Sequence, residues 1–533
     1  MEKRDIFIGG AWPYANYYLH VGHLAALLPG DILAKYYRGH GDNVIYVSGS
    51  DCHGTPITER AKKEGTTPDK IAKFYHEEFL KSFGNVGFEY DKYAATMDEY
   101  HQKYVQDKFL KMYDNGYLFE KEDMQDYCEN CASFLSDREI VGTCPHCGGK
   151  STGEQCDNCG DSLNASEVLD KHCKNCGNPT VLKPNKHLYF KLTAFNKELQ
   201  KLIDDNKSRW RKNAIGEAQK YLDMGLVDRA ATRQLTWGIT IPIKGFEDKR
   251  IYVWFEAVLG YLTACEEVCN KKGINFEEFI TDKDLISYYV HGKDNIPFHT
   301  VIYPSLLLAM KKNYNLPNKI ISSGYVNINS EKMSKSKGNL MTANELAENY
   351  DSDSVRYYLI ANGPEKKDVN FSLEDYATIH NKFLVGVLGN FVNRNLSFIK
   401  KKFDSVVKVG KIDSNIIELT KGTYQKVSNL IEDGELRSAI ETIMDYVTTG
   451  NKYYDENEPW NLAKNNIDKF NDVTYTCVYM MANIANLIEP FMPNTSKKLS
   501  ELLKTSNNTF EEIRISNDIV IGDLPLLFNR IEQ

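Results

Sequence analysis

Nowhere does the chain run to the roughly 18 or more consecutive apolar residues that a membrane-spanning helix requires. Its first residues, "MEKRDIFIGG", pass into a strand-like segment without the apolar core of a secretory signal. The expectation is a cytoplasmic protein with no membrane association. Bulk charge of one sign is also missing. In 533 residues, 65 Lys and Arg stand against 73 Asp and Glu, a formal net charge of −8, so overall charge points to no nucleic-acid partner. Basic clusters are local: "KSRWRK" at 207–212 and "IKKKF" at 399–403 either touch phosphates or form solvated faces. Apart from its cysteine pairs the sequence has no internal repeat, and it has no low-complexity tract.

Without an export signal, twelve cysteines argue for metal binding or chance rather than disulfides. Their spacing decides for metal. Eight fall into four C-x-x-C pairs, Cys128/Cys131, Cys144/Cys147, Cys156/Cys159 and Cys173/Cys176, in turn-rich surroundings such as "CPHCGG" and "CDNCGD". Two thiolates at that spacing chelate one tetrahedral Zn²⁺ from a tight knuckle, and two knuckles close an all-thiolate structural site. The inner pairs are expected to share one ion and the outer pairs another. Such sites keep no open position for catalysis. Cys52, Cys265, Cys269 and Cys477 read as core cysteines.

"RDIFIGGA" and "DNVIYVSGSD" read as buried parallel strands joined by a helix from about 23 to 38, a βαβ unit. Helical patterns follow near 68–83 and 98–116, then the cysteine-rich stretch. Strand-like "LISYYVHGKD" and "NKIISSGYV" resume the pattern, and long helical stretches fill the chain from about 376. The expected fold class is α/β: a Rossmann-like parallel sheet split by a zinc-binding connective insertion and followed by an α-helical bundle. The expected boundaries are 1–120 and 229–323 for the two halves of the sheet domain and 121–228 for the insertion. Residues 324–375 form a linking region and 376–533 the bundle.

Two motifs carry chemistry. In "AWPYANYYLHVGHL" His20 and His23 flank Gly22 where a strand gives way to a helix. In an open α/β sheet a ligand sits beyond the carboxyl ends of the strands, against the next helix N-terminus, which favours phosphate. Imidazole N–H groups can hold phosphoryl oxygens there, and Gly22 lets a flat base approach the backbone. In "EKMSKSKGN", residues 331–339, Lys332, Lys335 and Lys337 sit on a polar loop. Lysines on such a loop suit neutralisation of a pyrophosphate leaving group. Together, HxGH near the N-terminus and KMSKS near residue 335 resemble the two signatures of class I aminoacyl-tRNA synthetases. "AWPYAN", "GSDCHGTPI", "YVWFEAVLGY", "HGKDNIPFH" and "GYVNINSEKMSKS" resemble, in order, segments of the methionyl-tRNA synthetases.

The resemblance implies a two-step reaction, ATP-dependent formation of methionyl-adenylate and transfer to tRNA(Met), serving initiation and elongation, with Mg²⁺ accompanying ATP. By resemblance His20, His23, Lys332 and Lys335 are catalytic, and Gly22, Gly292, Lys293, Asp294, Asn295 and Lys335 contact ATP. Asp51 and the backbone near Trp12 hold the amino group of methionine, and Tyr14, Trp254, Ala257, Tyr261 and His299 line its side-chain pocket. Aromatic walls suit a flexible thioether through dispersion and sulfur–ring contacts. Trp12 and Val258 depart from the Leu and Pro of familiar members. Asn390 and Arg394, i and i+4 on one predicted helix, and Trp460 after Pro459 match the family's anticodon readers; an amide, a guanidinium and an indole can read and stack unpaired bases. Three rival readings fit the sequence less well. A cysteinyl or leucyl enzyme calls for a single zinc near the substrate or for a large editing insertion. A nucleotidyltransferase of the same superfamily would lack the bundle, and a zinc-ribbon nucleic-acid binder leaves KMSKS unexplained. The chain ends soon after the bundle, and a monomer is expected.

Overall fold

The structure, a computed structural model, describes residues 3–153, 156, 158–159, 163, 165–328, 331–332, 341–505, 509–522, 524 and 526–532. Two compact units are present: residues 1–104, 195–225 and 256–533 form the first, and 105–194 with 226–255 the second.

The first unit is built on strand β1 (Asp5–Gly10), helix α1 (Val21–Gly39), β2 (Asn43–Ser50) and β3 (Lys92–Ala95), the βαβ pattern expected from the sequence. Helix α2 (Val253–Lys272) precedes β4 (Ile286–Gly292) and β5 (Lys319–Ser323). All pairings are parallel, in the order β5-β4-β1-β2-β3, with Ile6 opposite Ile286 and Val44 and Gly292 opposite Ser323. Five residues of β1 and seven of β2 are buried. Strands with no solvent face read as continuous apolar runs rather than alternating ones. Because the strands are parallel, Gly10, Ser50, Ala95, Gly292 and Ser323 share the carboxyl edge, where the order turns back across β1 and leaves a crevice.

Helices α3 (Asn390–Lys402), α4 (Ser414–Glu432), α5 (Leu436–Asn457), α6 (Pro459–Asn465), α7 (Ile467–Ile488) and α8 (Pro493–Leu503) form the bundle, with α5 packed on α4 and α7. Arg356, fully buried, ties it to the sheet domain: Nη2 meets Asp31 of α1 at 2.7 Å and donates to the carbonyl of Pro490 over 2.8 Å, while Nε donates to that of Phe491 over 2.9 Å. A buried guanidinium is tolerable only with such full pairing. In "KSRWRK", Trp210 is buried and Arg211 donates to the carbonyl of Gly434 over 2.8 Å, so these two are structural.

The second unit holds the antiparallel pair Leu118–Cys128 and Val181–Phe190, in register from Leu118 opposite Phe190 to Tyr127 opposite Val181. A small sheet of Ile140–Thr143, Lys150–Thr152 and Leu169–Cys173 follows at its tip in sequence. Among the described residues, no helix is long and apolar enough to cross a membrane.

Candidate active site

Helix α1 begins on an imidazole. His20 is its N-cap (φ −127°, ψ 171°): Nδ1 accepts the N–H of Gly22 over 3.1 Å, and the main-chain N–H of His20 donates to Nδ1 of His23 over 3.2 Å. A ring that accepts at Nδ1 carries its proton on Nε2 when neutral. The two rings, 3.9 Å apart between centroids, are therefore both Nε2–H donors at a helix N-terminus. The chain around the lysine loop is anchored at both ends. Before it, Lys332 pairs through its backbone with Asn327. After it, the N–H of Val21 donates to the carbonyl of Met341 over 3.3 Å, and that of Ala343 to the carbonyl of Leu19 over 2.8 Å. Lys335 and Lys337 lie outside the described residues.

A buried aromatic cluster lies between β1, β2 and α2. The indole of Trp12 wedges between two glycines: an added Cβ on Gly49 or Gly260 would come within 2.5 Å of its ring. Only residues without side chains permit that approach. Tyr261 stands edge-on to Trp12, with centroids 6.4 Å apart. Its hydroxyl donates to Nε2 of His299 over 2.8 Å, because His299 uses Nδ1–H to donate to the carbonyl of Asn295 over 2.8 Å. Burial pushes the His299 imidazole down to about 4, so it stays neutral. His291 stacks on His299 at 4.1 Å. Asp51, one residue beyond β2, is buried, and its main chain pairs with residues 13–15: its N–H donates to the carbonyl of Pro13 over 2.9 Å, and its carbonyl accepts from Ala15 over 2.8 Å. That ladder sets Tyr14 beside Asp51. Burial, and then the Glu256 carboxylate, push the Asp51 carboxyl well above the usual range. Ala257 follows on α2, half-buried. Trp254 belongs to the second unit, where its ring lies 5.3 Å from that of Tyr252.

Gly292 ends β4, and Lys293, Asp294 and Asn295 form the single turn that follows. Lys293 Nζ meets both oxygens of Asp368 at 2.8 Å and lies 3.8 Å over the ring of Tyr325, whose hydroxyl donates to Asp294. On the bundle, Asn390 donates to Asn451 over 3.2 Å, and Arg394 meets Asp455 at 2.5 Å while lying 4.5 Å over the ring of Tyr454. Trp460, 39% exposed, packs on the same Tyr454 with centroids 5.8 Å apart. Arg394 and Trp460 thus meet on one tyrosine, and Asn390 bonds to Asn451, whose main-chain carbonyl accepts from Arg394 Nη2 over 3.4 Å.

In the second unit the cysteines pair as expected. Cys128, Cys131, Cys173 and Cys176 form one cluster and Cys144, Cys147, Cys156 and Cys159 the other, each with its sulfurs within 4.8 Å of one another. Sulfur separations between the two pairs of a cluster, 3.4 and 3.9 Å in the first and 3.9 and 3.5 Å in the second, bracket the about 3.8 Å edge of a tetrahedral Zn–thiolate site. Main-chain N–H groups of Cys131 and Cys159 donate to Cys128 and Cys156 Sγ over 3.4 Å each, the knuckle bond that favours a thiolate. Each cluster could hold one metal ion, and four thiols suit zinc.

Comparison with known proteins decides the family. Residues 6–396 match the model for class I tRNA synthetases (M), and residues 405–520 that for the anticodon binding domain of methionyl tRNA ligase. The chain belongs to the class I methionyl-tRNA synthetases. Methionine–tRNA ligase 1 of Alkaliphilus oremlandii is 44% identical over 531 residues, covering 99% of this chain and 98% of that protein. The Streptococcus pneumoniae methionine–tRNA ligase is 45% identical over 531 residues, covering 99% and 97%. The methionyl-tRNA synthetase of Mycobacterium tuberculosis, solved with methionyl-adenylate, superposes with a TM-score of 0.83 at 23% identity, over 99% of this chain and 100% of that one, which shows the shared synthetase fold.

Sequence reasoning passed over four buried groups of this synthetase site: His53, His101, Glu256 and His291. Three of them stood inside segments already singled out, "GSDCHGTPI", "YVWFEAVLGY" and "HGKDNIPFH". An acidic residue within an apolar helical window was the available signal for Glu256, since buried carboxylates need a reason.

Proposed function

We propose that the protein activates methionine with ATP and transfers the methionyl group to tRNA(Met), in initiation and elongation. The observation that carries this reading is the convergence, at one carboxyl edge, of the His20/His23 helix cap, the anchored ends of the lysine loop and the Asp51–Tyr261–His299 pocket. In the first step a carboxylate oxygen of methionine attacks the α-phosphorus of ATP, the bond to the β-phosphate oxygen breaks, and pyrophosphate leaves. Two Nε2–H donors from His20 and His23 stabilise the charge on the pentavalent phosphorus, and Lys332 and Lys335 that on the departing pyrophosphate. Gly22, Gly292, Lys293, Asp294 and Asn295 seat the nucleotide. Asp51 and the backbone near Trp12 hold the ammonium, and Tyr14, Trp254, Ala257, Tyr261 and His299 enclose the thioether, with the Tyr261 hydroxyl directed away from it by its bond to His299. In the second step a ribose hydroxyl at the tRNA 3′ end attacks the carbonyl, and AMP leaves.

Mg²⁺ enters with ATP and offsets phosphate charge. Two Zn²⁺ ions, held by the four-thiol clusters, are structural. Asn390, Arg394 and Trp460 read the anticodon CAU. The protein works as a cytoplasmic monomer, divided as 1–120, 121–228, 229–323, 324–375 and 376–533. ATP–pyrophosphate exchange with each amino acid in turn tests activation and specificity together: methionine alone should support rapid exchange, and exchange driven equally by leucine would overturn the assignment. A sedimentation mass near twice 60.9 kDa would overturn the monomer.

A further inference from the structure

One tyrosine touches two of the three side chains in the turn beyond β4. Tyr325 lies two residues past β5, and its main chain is clamped on either side: the N–H of Gly324 donates to the carbonyl of Pro364 over 2.8 Å, and the carbonyl of Tyr325 accepts the N–H of Val369 over 2.9 Å. From Val326 to Ile328 the chain then pairs in parallel with Val369–Phe371. Gly324 lets the two segments lie this close, because an added Cβ there would stand 2.7 Å from Asp368 Oδ1 and 2.9 Å from the main-chain nitrogen of Asp368. Three groups of the fixed tyrosine are in use. Its N–H donates to Asp368 Oδ1 over 2.9 Å, its ring carries the Lys293 ammonium 3.8 Å from the centroid, and its hydroxyl donates to Asp294 Oδ1. Asp368 closes the set by meeting Lys293 Nζ with both oxygens at 2.8 Å. An ion pair with 33% and 41% of its side chains exposed holds little energy by itself. Here Asp368 is oriented by a backbone N–H and Lys293 is shielded on one side by the ring, so the pair keeps one geometry instead of many.

We propose that Tyr325 is a positioning residue for the nucleoside end of ATP: through its hydroxyl it aims the Asp294 carboxylate, and through its ring and Asp368 it holds Lys293. This rests on the reading of Lys293–Asn295 as part of the nucleotide seat. A carboxylate repels a triphosphate but accepts from neutral donors, the hydroxyls of ribose or the amino group of adenine, so Asp294 belongs to the nucleoside end of the ligand. One Asp294 oxygen takes the tyrosine hydroxyl, which settles the rotation of the carboxylate and presents the other oxygen in one orientation before ATP arrives. Asp368 offsets the charge of Lys293 and takes that ammonium out of competition for the phosphates. The turn thereby grips adenosine, and phosphate charge is left to His20, His23 and the lysine loop. Side-chain freedom lost in advance is freedom that ligand binding need not remove.

The test uses the full chain and three probes: adenosine as a competitor of ATP, pyrophosphate as a product inhibitor, and methionine. Tyr325→Phe keeps the ring and deletes the hydroxyl, so the inhibition constant of adenosine and KM for ATP should both rise roughly three- to tenfold, the worth of one partly exposed hydrogen bond. The constants for pyrophosphate and methionine should stay at their wild-type values. A residue that acts through Asp294 has nothing to act through once that side chain is gone: in an Asp294→Ala background, Tyr325→Phe should add almost no further loss of adenosine binding. Equal losses with and without Asp294 overturn the proposal, as does an unchanged adenosine constant in Tyr325→Phe where Asp294→Ala raises it. A variant that merely loses folded protein would lower kcat with every binding constant intact, which also overturns it. If Asp294→Ala itself leaves adenosine and ATP unaffected, the reading of the turn as a nucleotide seat falls and the proposal with it, while methionine-dependent exchange in the wild type keeps the activity standing. Should Tyr325→Phe fail to fold, Asp368→Asn decides: it should raise the adenosine constant when Lys293 is present and not in a Lys293→Met background, and the same rise in both backgrounds refutes the arrangement.

Discussion

The main-chain N–H of Ala343 donates to the carbonyl of Leu19 over 2.8 Å, so the chain leaving the lysine loop is fastened one residue before the histidine that caps α1. Leu19 and Ala343, more than 300 residues apart in sequence, are thereby joined beside the N-terminus of α1.

Lys335→Ala should therefore slow adenylate formation by about 100-fold, some 2–4 kcal/mol of transition-state stabilisation, while methionine binding by calorimetry stays within about twofold. Exchange at the wild-type rate would show that the loop takes no part in the chemistry. His23→Ala should act similarly, with an added loss of melting temperature because the main-chain N–H of His20 loses its acceptor.

Gly260→Ala tests the fit of Trp12. The added carbon would stand 2.5 Å from Cζ2 of the indole, an overpacking that costs about 1–3 kcal/mol and displaces the ring. KM for methionine should rise several-fold with KM for ATP nearly unchanged. Gly84→Ala, where no atom lies within 4 Å of the new carbon, serves as the control. Equal KM values for methionine in both variants would remove Trp12 from the pocket wall.

The sheet was legible because β1, β2, β4 and β5 are buried on both faces and read as uninterrupted apolar runs. The zinc knuckles were legible because ligand spacing is local. Glu256 and His101 were not. Their significance depends on a helix packing that brings residue 101 within reach of residue 256, and no local pattern encodes that distance. Similarly, Trp210 and Arg211 read as part of a basic cluster, whereas tertiary packing buries Trp210 and holds the half-buried Arg211 against β5 and the turn at Gly434.

Metal content gives a direct count. Native protein should carry about two Zn²⁺ per chain by elemental mass spectrometry. Cys144→Ser should lose about one of them, with methionine binding retained, because each cluster is a closed set of four sulfurs. A native preparation without metal would refute both sites.

Glu489 makes stability depend on pH. Burial pushes its carboxyl from 4.5 up to about 7, Lys35 opposing and Glu89 adding to the rise. A raised carboxyl binds more protons folded than unfolded between those values. Its stabilising contribution is present below about pH 4.5 and lost as pH climbs through 7, on the order of 2 kcal/mol. Relative to wild type, Glu489→Gln should therefore gain melting temperature at pH 7.5 and little at pH 4.5. An equal difference at both pH values would contradict the burial of an ionising group there.

Trp460→Ala separates the two ends of the molecule. A core indole and a reading platform make opposite demands: the first is enclosed, the second keeps a face in solvent. At 39% exposure, with its other side on Tyr454 and Arg394 over that same ring, Trp460 meets the second description. Stacking on such a platform is worth roughly 1–3 kcal/mol per base. Aminoacylation of tRNA(Met) should fall by about one to two orders of magnitude, and ATP–pyrophosphate exchange should barely change, since activation needs no anticodon contact. Had the indole been packing alone, its removal would lower the melting temperature by several degrees and depress both assays in proportion to lost folded protein. Thermal stability measured beside the two activities distinguishes these outcomes: a stable variant with normal exchange and poor charging assigns Trp460 to the anticodon, and equal losses in both assays deny it.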